Sequence, residues 1–134
     1  MNKLSANNLT VAYDKNIIIN NLEIGIPEGK ITSIIGPNGC GKSTLLKAIG
    51  RIIKPERGYI YLDGMDVYTL STKEIAKKMS ILPQSPKAPS GITVGELIAY
   101  GRFPHQHGFK KLTVEDKKVG NGYYKAFRIR SYFG

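Results

Sequence analysis

Gly36-Pro37-Asn38-Gly39-Cys40-Gly41-Lys42-Ser43-Thr44 is the stretch of this 134-residue chain whose residue types and spacing can do chemistry. It fits the G-x-x-x-x-G-K-[ST] pattern in full. Gly36, Gly39 and Gly41 permit positive φ, so backbone N–H groups can turn toward one point. A helix starting just after the loop aims its free N–H groups and its positive dipole end at the same place. Lys42 supplies a cation that reaches β- and γ-phosphates, and the Ser43 hydroxyl suits Mg²⁺. The chemistry these residues offer is binding of a nucleoside triphosphate.

The loop needs a strand before it and a helix after it. Lys30-Ile31-Thr32-Ser33-Ile34-Ile35 is apolar and β-branched and predicts the strand. Ser43 to Ile49 predicts the helix, with Leu45, Leu46, Ala48 and Ile49 for a buried face and Gly50 as the stop. Upstream, residues 3–13 predict a first strand ending at Tyr13, and Asp14-Lys15-Asn16 predicts a turn. Ile17–Ile19 begins a further extended piece, and 22–26 alternates with period 2, as a half-buried antiparallel strand does. Downstream, 59–62 predicts a strand closed by an Asp63-Gly64 hairpin turn. Ser71-Thr72-Lys73-Glu74 and Thr93-Val94-Gly95-Glu96 are capping boxes that open two helices. Ser80–Gln84 predicts another short strand, and 113–118 opens a last helix. The fold class expected is α/β: a strand-loop-helix core beside an antiparallel layer.

Composition narrows the class. A 41% hydrophobic content suits a globular domain, and the apolar runs are too short for a membrane span. The N-terminus lacks the apolar core of a signal peptide. A single cysteine rules out an internal disulfide framework, and Cys40 reads as a small loop residue whose thiol would make binding sensitive to oxidation. The net charge of +10 is scattered over the chain, in a solvated basic surface. With no dense basic tract and no recognition motif, nucleic acid is not the expected partner. His105 and His107 show no metal-ligand spacing.

Taken in order, Tyr13, Gly36–Thr44 and Gln84 carry a resemblance to a known family. The chain resembles the N-terminal half of an ATP-binding-cassette (ABC) transporter ATPase subunit, with a P-loop NTPase fold. The resemblance implies ATP and Mg²⁺ as cofactors. Tyr13 would stack on adenine; Gly36, Asn38, Gly39, Cys40, Gly41, Lys42, Ser43 and Thr44 would hold the phosphates; Ser43 and Gln84 would attend Mg²⁺. It also implies a second ATP-binding subunit, a transmembrane permease, an indirectly coupled substrate-binding protein, and a peripheral place on the cytoplasmic face of the membrane. Tyr100-Gly101-Arg102-Phe103-Pro104-His105-Gln106 is similar to the segment that, in importers of iron–siderophore, haem and cobalamin, opens the helical subdomain facing the permease. A small-GTPase reading is disfavoured, since no Asn-Lys-x-Asp motif occurs.

The resemblance runs over residues 3–118. The family's Leu-Ser-Gly-Gly-Gln signature, its Asp-Glu strand end and its switch histidine are not in the sequence. Those groups hold Mg²⁺, polarise the attacking water and steady the γ-phosphate, so the chain is expected to bind ATP and hydrolyse it poorly. The expected domains are therefore 1–118, the family part, and 119–134, a tail out of frame or disordered. That tail gathers Tyr123, Tyr124, Phe127, Tyr132 and Phe133 with Lys125, Arg128 and Arg130, and no acid. A rival reading makes it an aromatic, basic peptide for nucleic acid or a membrane interface on a non-catalytic module, and a third makes the chain a decayed gene product. Open strand edges predict poor solubility and a low unfolding temperature.

Overall fold

A computed structural model describes residues 1–87, 89–106 and 112–126. The chain divides into two compact units, Met1–Ile75 and Ala76–Gly134. In the first, β1 (Asn2–Tyr13), β2 (Asn16–Pro27), β3 (Arg57–Leu62) and β4 (Met65–Asp66) form one antiparallel sheet in the order β2-β1-β3-β4. The helix α1 (Lys42–Ile49) packs on β1 and β2. Leu4, Ala6, Leu9, Val11, Ile60 and Leu62 from the sheet meet Leu45, Ala48 and Ile49 from α1 in the core.

Local chemistry explains the turns. Asp14 (φ 46°) and Lys15 (φ 72°) both take left-handed backbone at the β1–β2 turn, as do Asp63 (φ 53°) and Gly64 (φ 76°) between β3 and β4. Two consecutive positive φ values match the right-handed twist of the flanking strands. β1 also carries a device that periodicity alone does not reveal. Its buried apolar positions are Leu4 and Ala6 before Asn8, then Leu9 and Val11 after it. Asn8 (φ 50°) adds an extra residue that shifts the phase, so both halves of the strand face the core. Asn21 (φ 49°) does the same on β2, and its N–H donates to Thr10 Oγ1 at 3.2 Å. Gly58 (φ 89°) lies against the bulge, where a Cβ would stand 2.6 Å from Asn7 O and 2.5 Å from Asn8 O.

α1 ends at Ile49 with Gly50 as its C-cap, the stop its sequence predicts. Gly50 has an ordinary φ of −78°, and Arg51 (φ 59°) takes the left-handed position instead. Arg51 is held there by a 3.0 Å bond from Nη1 to Leu70 O, and its guanidinium lies 5.7 Å from the Tyr68 ring centre. Two expected strands are absent. Residues 30–35 and 80–84 are irregular, because neither segment finds a ladder partner among the described residues. Propensity for a strand is realised only when a second strand accepts its hydrogen bonds.

The helix α2 (Thr72–Lys78) opens on its expected box: Glu74 accepts from Ser71 N at 2.8 Å and Ser71 Oγ accepts from Glu74 N at 3.2 Å. The second unit contains α3 (Val94–Tyr100), a 3₁₀ turn over Phe103–His105 and α4 (Val114–Ala126). Thr93 and Glu96 cap α3 reciprocally, and the Thr93 bonds hold the Glu96 carboxyl below its usual range. Thr113 and Asp116 cap α4 in the same way, with Thr113 N to Asp116 Oδ2 at 3.0 Å. α4 runs through Val119, and the expected tail lies outside the described residues from 127 onward, as does His107.

Arg102 Nε donates to the buried Asp116 Oδ1 at 2.8 Å and ties the turn after α3 to the start of α4. This bond first, and the Thr113 N–H and hydroxyl next, lower the Asp116 carboxyl from 3.8 to about 2. A depressed carboxyl adds stability that is complete above its unfolded value and lost as pH falls toward its folded one. Amide protection over α3 and α4, taken relative to the intrinsic exchange rate at each pH, should therefore fall as pH drops from about 4 to about 2, an effect removed in Asp116→Asn. In the first unit, Gly58→Ala should cost about 3 kcal/mol in urea unfolding, against about 1 kcal/mol for Gly64→Ala, which shares positive φ and meets nothing. Equal costs would remove the bulge contact as the reason for glycine at position 58.

Candidate functional site

The candidate site is the turn 36–41 together with the first turn of α1. Pro37 O accepts from Cys40 N at 3.4 Å and tightens the loop, and Gly39 (φ 81°) and Gly41 (φ 97°) reverse its direction. Gly41 is the N-cap of α1 and brings no capping side chain. The first N–H groups of the helix thus face an opening with no side-chain acceptor, the electrostatic setting that suits an anion. Behind the loop, a Cβ on Gly41 would meet Ile18 Cγ2 at 3.3 Å and Ile19 Cγ1 at 3.4 Å, so β2 serves as its backing wall.

Lys42 folds back over the loop. Its Nζ donates to Gly36 O at 2.7 Å and to Pro37 O at 2.6 Å, and lies 3.8 Å from Cys40 Sγ. These bonds place the ammonium at the centre of the curl. Ser43 is exposed beside it, and no partner engages its hydroxyl among the described residues. That oxygen fits the hard-oxygen ligation that Mg²⁺ takes, and the loop N–H groups with Lys42 fit a polyphosphate. Thr44 is buried against the core and anchors the helix start. Asn38 and Cys40 are exposed on the curl.

The structure brings Gly36–Thr44 into one cradle and puts Tyr13 in the same unit, at the hairpin end of β1 and 41% exposed. Gln84 belongs to the second unit, in an exposed bend. Sequence reasoning missed the Gly36 and Pro37 carbonyls and the Ile18–Ile19 wall. Backbone acceptors carry no residue signal, and the wall comes from a strand distant in the chain.

A family model described as ABC transporter matches residues 19–131. The chain belongs to the ABC transporter family. The ATP-binding part of that family is what its relatives represent: it is 55% identical over 119 residues to the iron(3+)-hydroxamate import ATP-binding protein FhuC of Bacillus subtilis (strain 168), covering 89% of this chain and 44% of that protein. It is 43% identical over 117 residues to the ferric enterobactin transport ATP-binding protein FepC of Escherichia coli (strain K12), covering 87% and 43%. The chain thus spans less than half the length of these relatives. Among solved structures it is similar to a dimeric ATP-binding cassette in a post-hydrolysis state bound to ADP and Pi, with a TM-score of 0.75 at 26% identity over 97% of this chain and 59% of that one. An ATP-binding subunit of an ABC transporter gives the same TM-score of 0.75 at 21% identity, over 94% and 50%. The P-loop NTPase fold of an ABC ATPase is therefore the fold of this chain, as its motifs imply.

The loop geometry makes one steric prediction. A Cβ on Gly36 would stand 2.7 Å from Cys40 Sγ, while the Gly36 backbone itself is ordinary. Gly36→Ala should destabilise the chain by about 1–2 kcal/mol in thermal or urea unfolding, and Gly36→Ala with Cys40→Ala should recover most of it. Additive losses in the double variant would show that the sulfur is not the obstacle.

Proposed function

We propose that the chain is the ATP-binding part of an ABC importer for iron–siderophore complexes, and that it binds Mg²⁺-ATP through residues 36–44. The single observation that carries this reading is Lys42 bonded into the curl by Gly36 O and Pro37 O, at the open N-terminus of α1. An ammonium has three donors, and two are satisfied by those carbonyls. The third meets only the long Cys40 Sγ contact, so an incoming phosphate oxygen displaces sulfur and leaves the loop intact. Loop N–H groups then share the remaining phosphate charge. A bound Mg²⁺ would supply charge neutralisation to the phosphates. Ser43 Oγ is the oxygen this unit offers it, and Gln84 is assigned to the same ion on the resemblance alone.

The importer and substrate reading is supported by the relatives, which are iron(3+)-hydroxamate import and ferric enterobactin transport proteins by name. A permease partner, a second ATP-binding subunit and a peripheral place at the cytoplasmic membrane face belong to the same proposal. Among the described residues no helix is long and apolar enough to cross a membrane. Hydrolysis is expected to be slow, because in-line transfer depends on positioned groups that polarise water and stabilise transferring charge. Gly36–Thr44 supply the phosphate cradle and no group that activates the water.

Titration of the purified chain with a fluorescent ATP analogue and Mg²⁺ tests the reading. Saturable binding should weaken at least tenfold, about 1.4 kcal/mol, in Lys42→Ala. Binding unaffected by Lys42→Ala would overturn the site. Phosphate release should stay at the level of the Lys42→Ala control, and turnover that Lys42→Ala abolishes would overturn the claim of slow hydrolysis.

A further inference from the structure

The chain carries two Asn-Gly pairs, Asn38-Gly39 and Asn121-Gly122, and the fold treats them in opposite ways. Asparagine followed by glycine is the pair whose side-chain amide is most easily lost, because no Cβ shields the next peptide nitrogen. Asn38 and Gly39 sit exposed at the two central positions of the turn Pro37–Cys40. The Cys40 N to Pro37 O bond that closes this turn is 3.4 Å, longer than usual for N–H···O. Among the described residues neither the Asn38 side chain nor the Gly39 N–H has a hydrogen-bond partner. A Cβ on Gly39 would meet nothing within 4 Å, so the backbone there is open to solvent. Asn121-Gly122 differs on each count. It lies in α4, where the Gly122 N–H belongs to the helix ladder, and Asn121 is partly buried and engages a neighbour.

We propose that Asn38 is a deamidation site within the phosphate loop, that the reaction switches nucleotide binding off, and that bound Mg²⁺-ATP slows it. The Gly39 nitrogen gives its proton to a base in the solvent and attacks Asn38 Cγ. A C–N bond forms, the Cγ–Nδ2 bond breaks, and the departing amide takes up a proton and leaves as ammonia. The succinimide ring so closed is then opened by water. Opening at Cγ leaves an ordinary aspartate, and opening at the main-chain carbonyl leaves an isoaspartyl link that runs through the side chain. Nothing is oxidised or reduced, and water is the reactant consumed.

Both products act on the cradle, and this part rests on the phosphate-site reading above. Each places a carboxylate on the loop. That anion repels a polyphosphate and competes for the Lys42 donor, which meets Cys40 Sγ only at 3.8 Å. The isoaspartyl link also lengthens the backbone inside the turn, which swings the loop N–H groups away from their common point. In the other direction, a phosphate oxygen that accepts the Gly39 N–H retains the proton the first step must lose. The loop therefore ages when empty and is preserved when loaded.

The test is timed incubation of the purified chain in warm neutral buffer, with and without Mg²⁺-ATP. Peptide mass spectrometry and labelling by an isoaspartyl methyltransferase follow the modification, and the fluorescent ATP analogue follows affinity. Asn38 should exchange its amide NH2 for OH well ahead of Asn121, and Mg²⁺-ATP should slow it severalfold. In urea the two sites should react alike, since the dipeptide is the same. Affinity should fall in step with the modified fraction, and Asn38→Asp should bind about tenfold more weakly than the parent chain. Asn38→Ser, compared with its own starting affinity, should not change on incubation. Asn38 reacting no faster than Asn121, or a lead that persists in urea, would overturn the site as a product of the fold. Modification that leaves affinity intact, or decay of Asn38→Ser at the parent's rate, would overturn the switch. A chain that binds the analogue while Mg²⁺-ATP leaves the rate unchanged would overturn the protection. Rapid modification of Asn38 in a chain that never binds the analogue would uphold the site and overturn the phosphate-site reading.

Discussion

β1 is hydrogen-bonded along both edges, to β2 and to β3, and the first unit depends on that double pairing. Its length would carry half its apolar residues to the wrong face if the alternation ran unbroken. The bulge at Asn8 corrects the phase, and Gly58 is the neighbour small enough to lie against it. The same sheet supports the phosphate loop, because Ile18 and Ile19 of β2 back Gly41. A surface cradle is thus held by a strand pair whose own geometry is set by two left-handed asparagines.

The cradle is built mainly from backbone, and this explains its economy. Lys42 is the charged side chain it uses, and two carbonyls of the loop hold that charge in place. Each of the remaining contributions is a conformation: two glycines at positive φ, a helix N-terminus without a capping side chain, and a tight turn at Pro37. Such a site places its cost in conformational restriction, so its performance depends on how firmly both ends of the loop are fixed.

The second unit is organised differently. No residue of α3 is fully buried, and a cavity of about 560 Å³ opens between α3, the 3₁₀ turn and α4. Charge, more than packing, joins its elements: Arg102 and Asp116 meet at its wall, with Thr113 on the second carboxylate oxygen. A buried carboxylate with every partner satisfied specifies one arrangement of two helices, where loosely packed apolar faces would permit several.

Features determined by neighbouring residues were legible in the sequence. The glycine-rich turn at 36–41, the helix after it, the capping pairs at Ser71–Glu74 and Thr93–Glu96, and the turns at Asp14–Lys15 and Asp63–Gly64 all depend on contacts within a few residues. Helix bonds and caps are local, so residue type and spacing suffice to predict them. The tertiary structure decided what depends on distant partners. It left 31–35 and 80–84 without strand geometry, held Arg51 in left-handed backbone through Leu70 and Tyr68, and paired Arg102 with Asp116. A strand's hydrogen bonds belong to whatever lies beside it, and no propensity of its own residues can supply them.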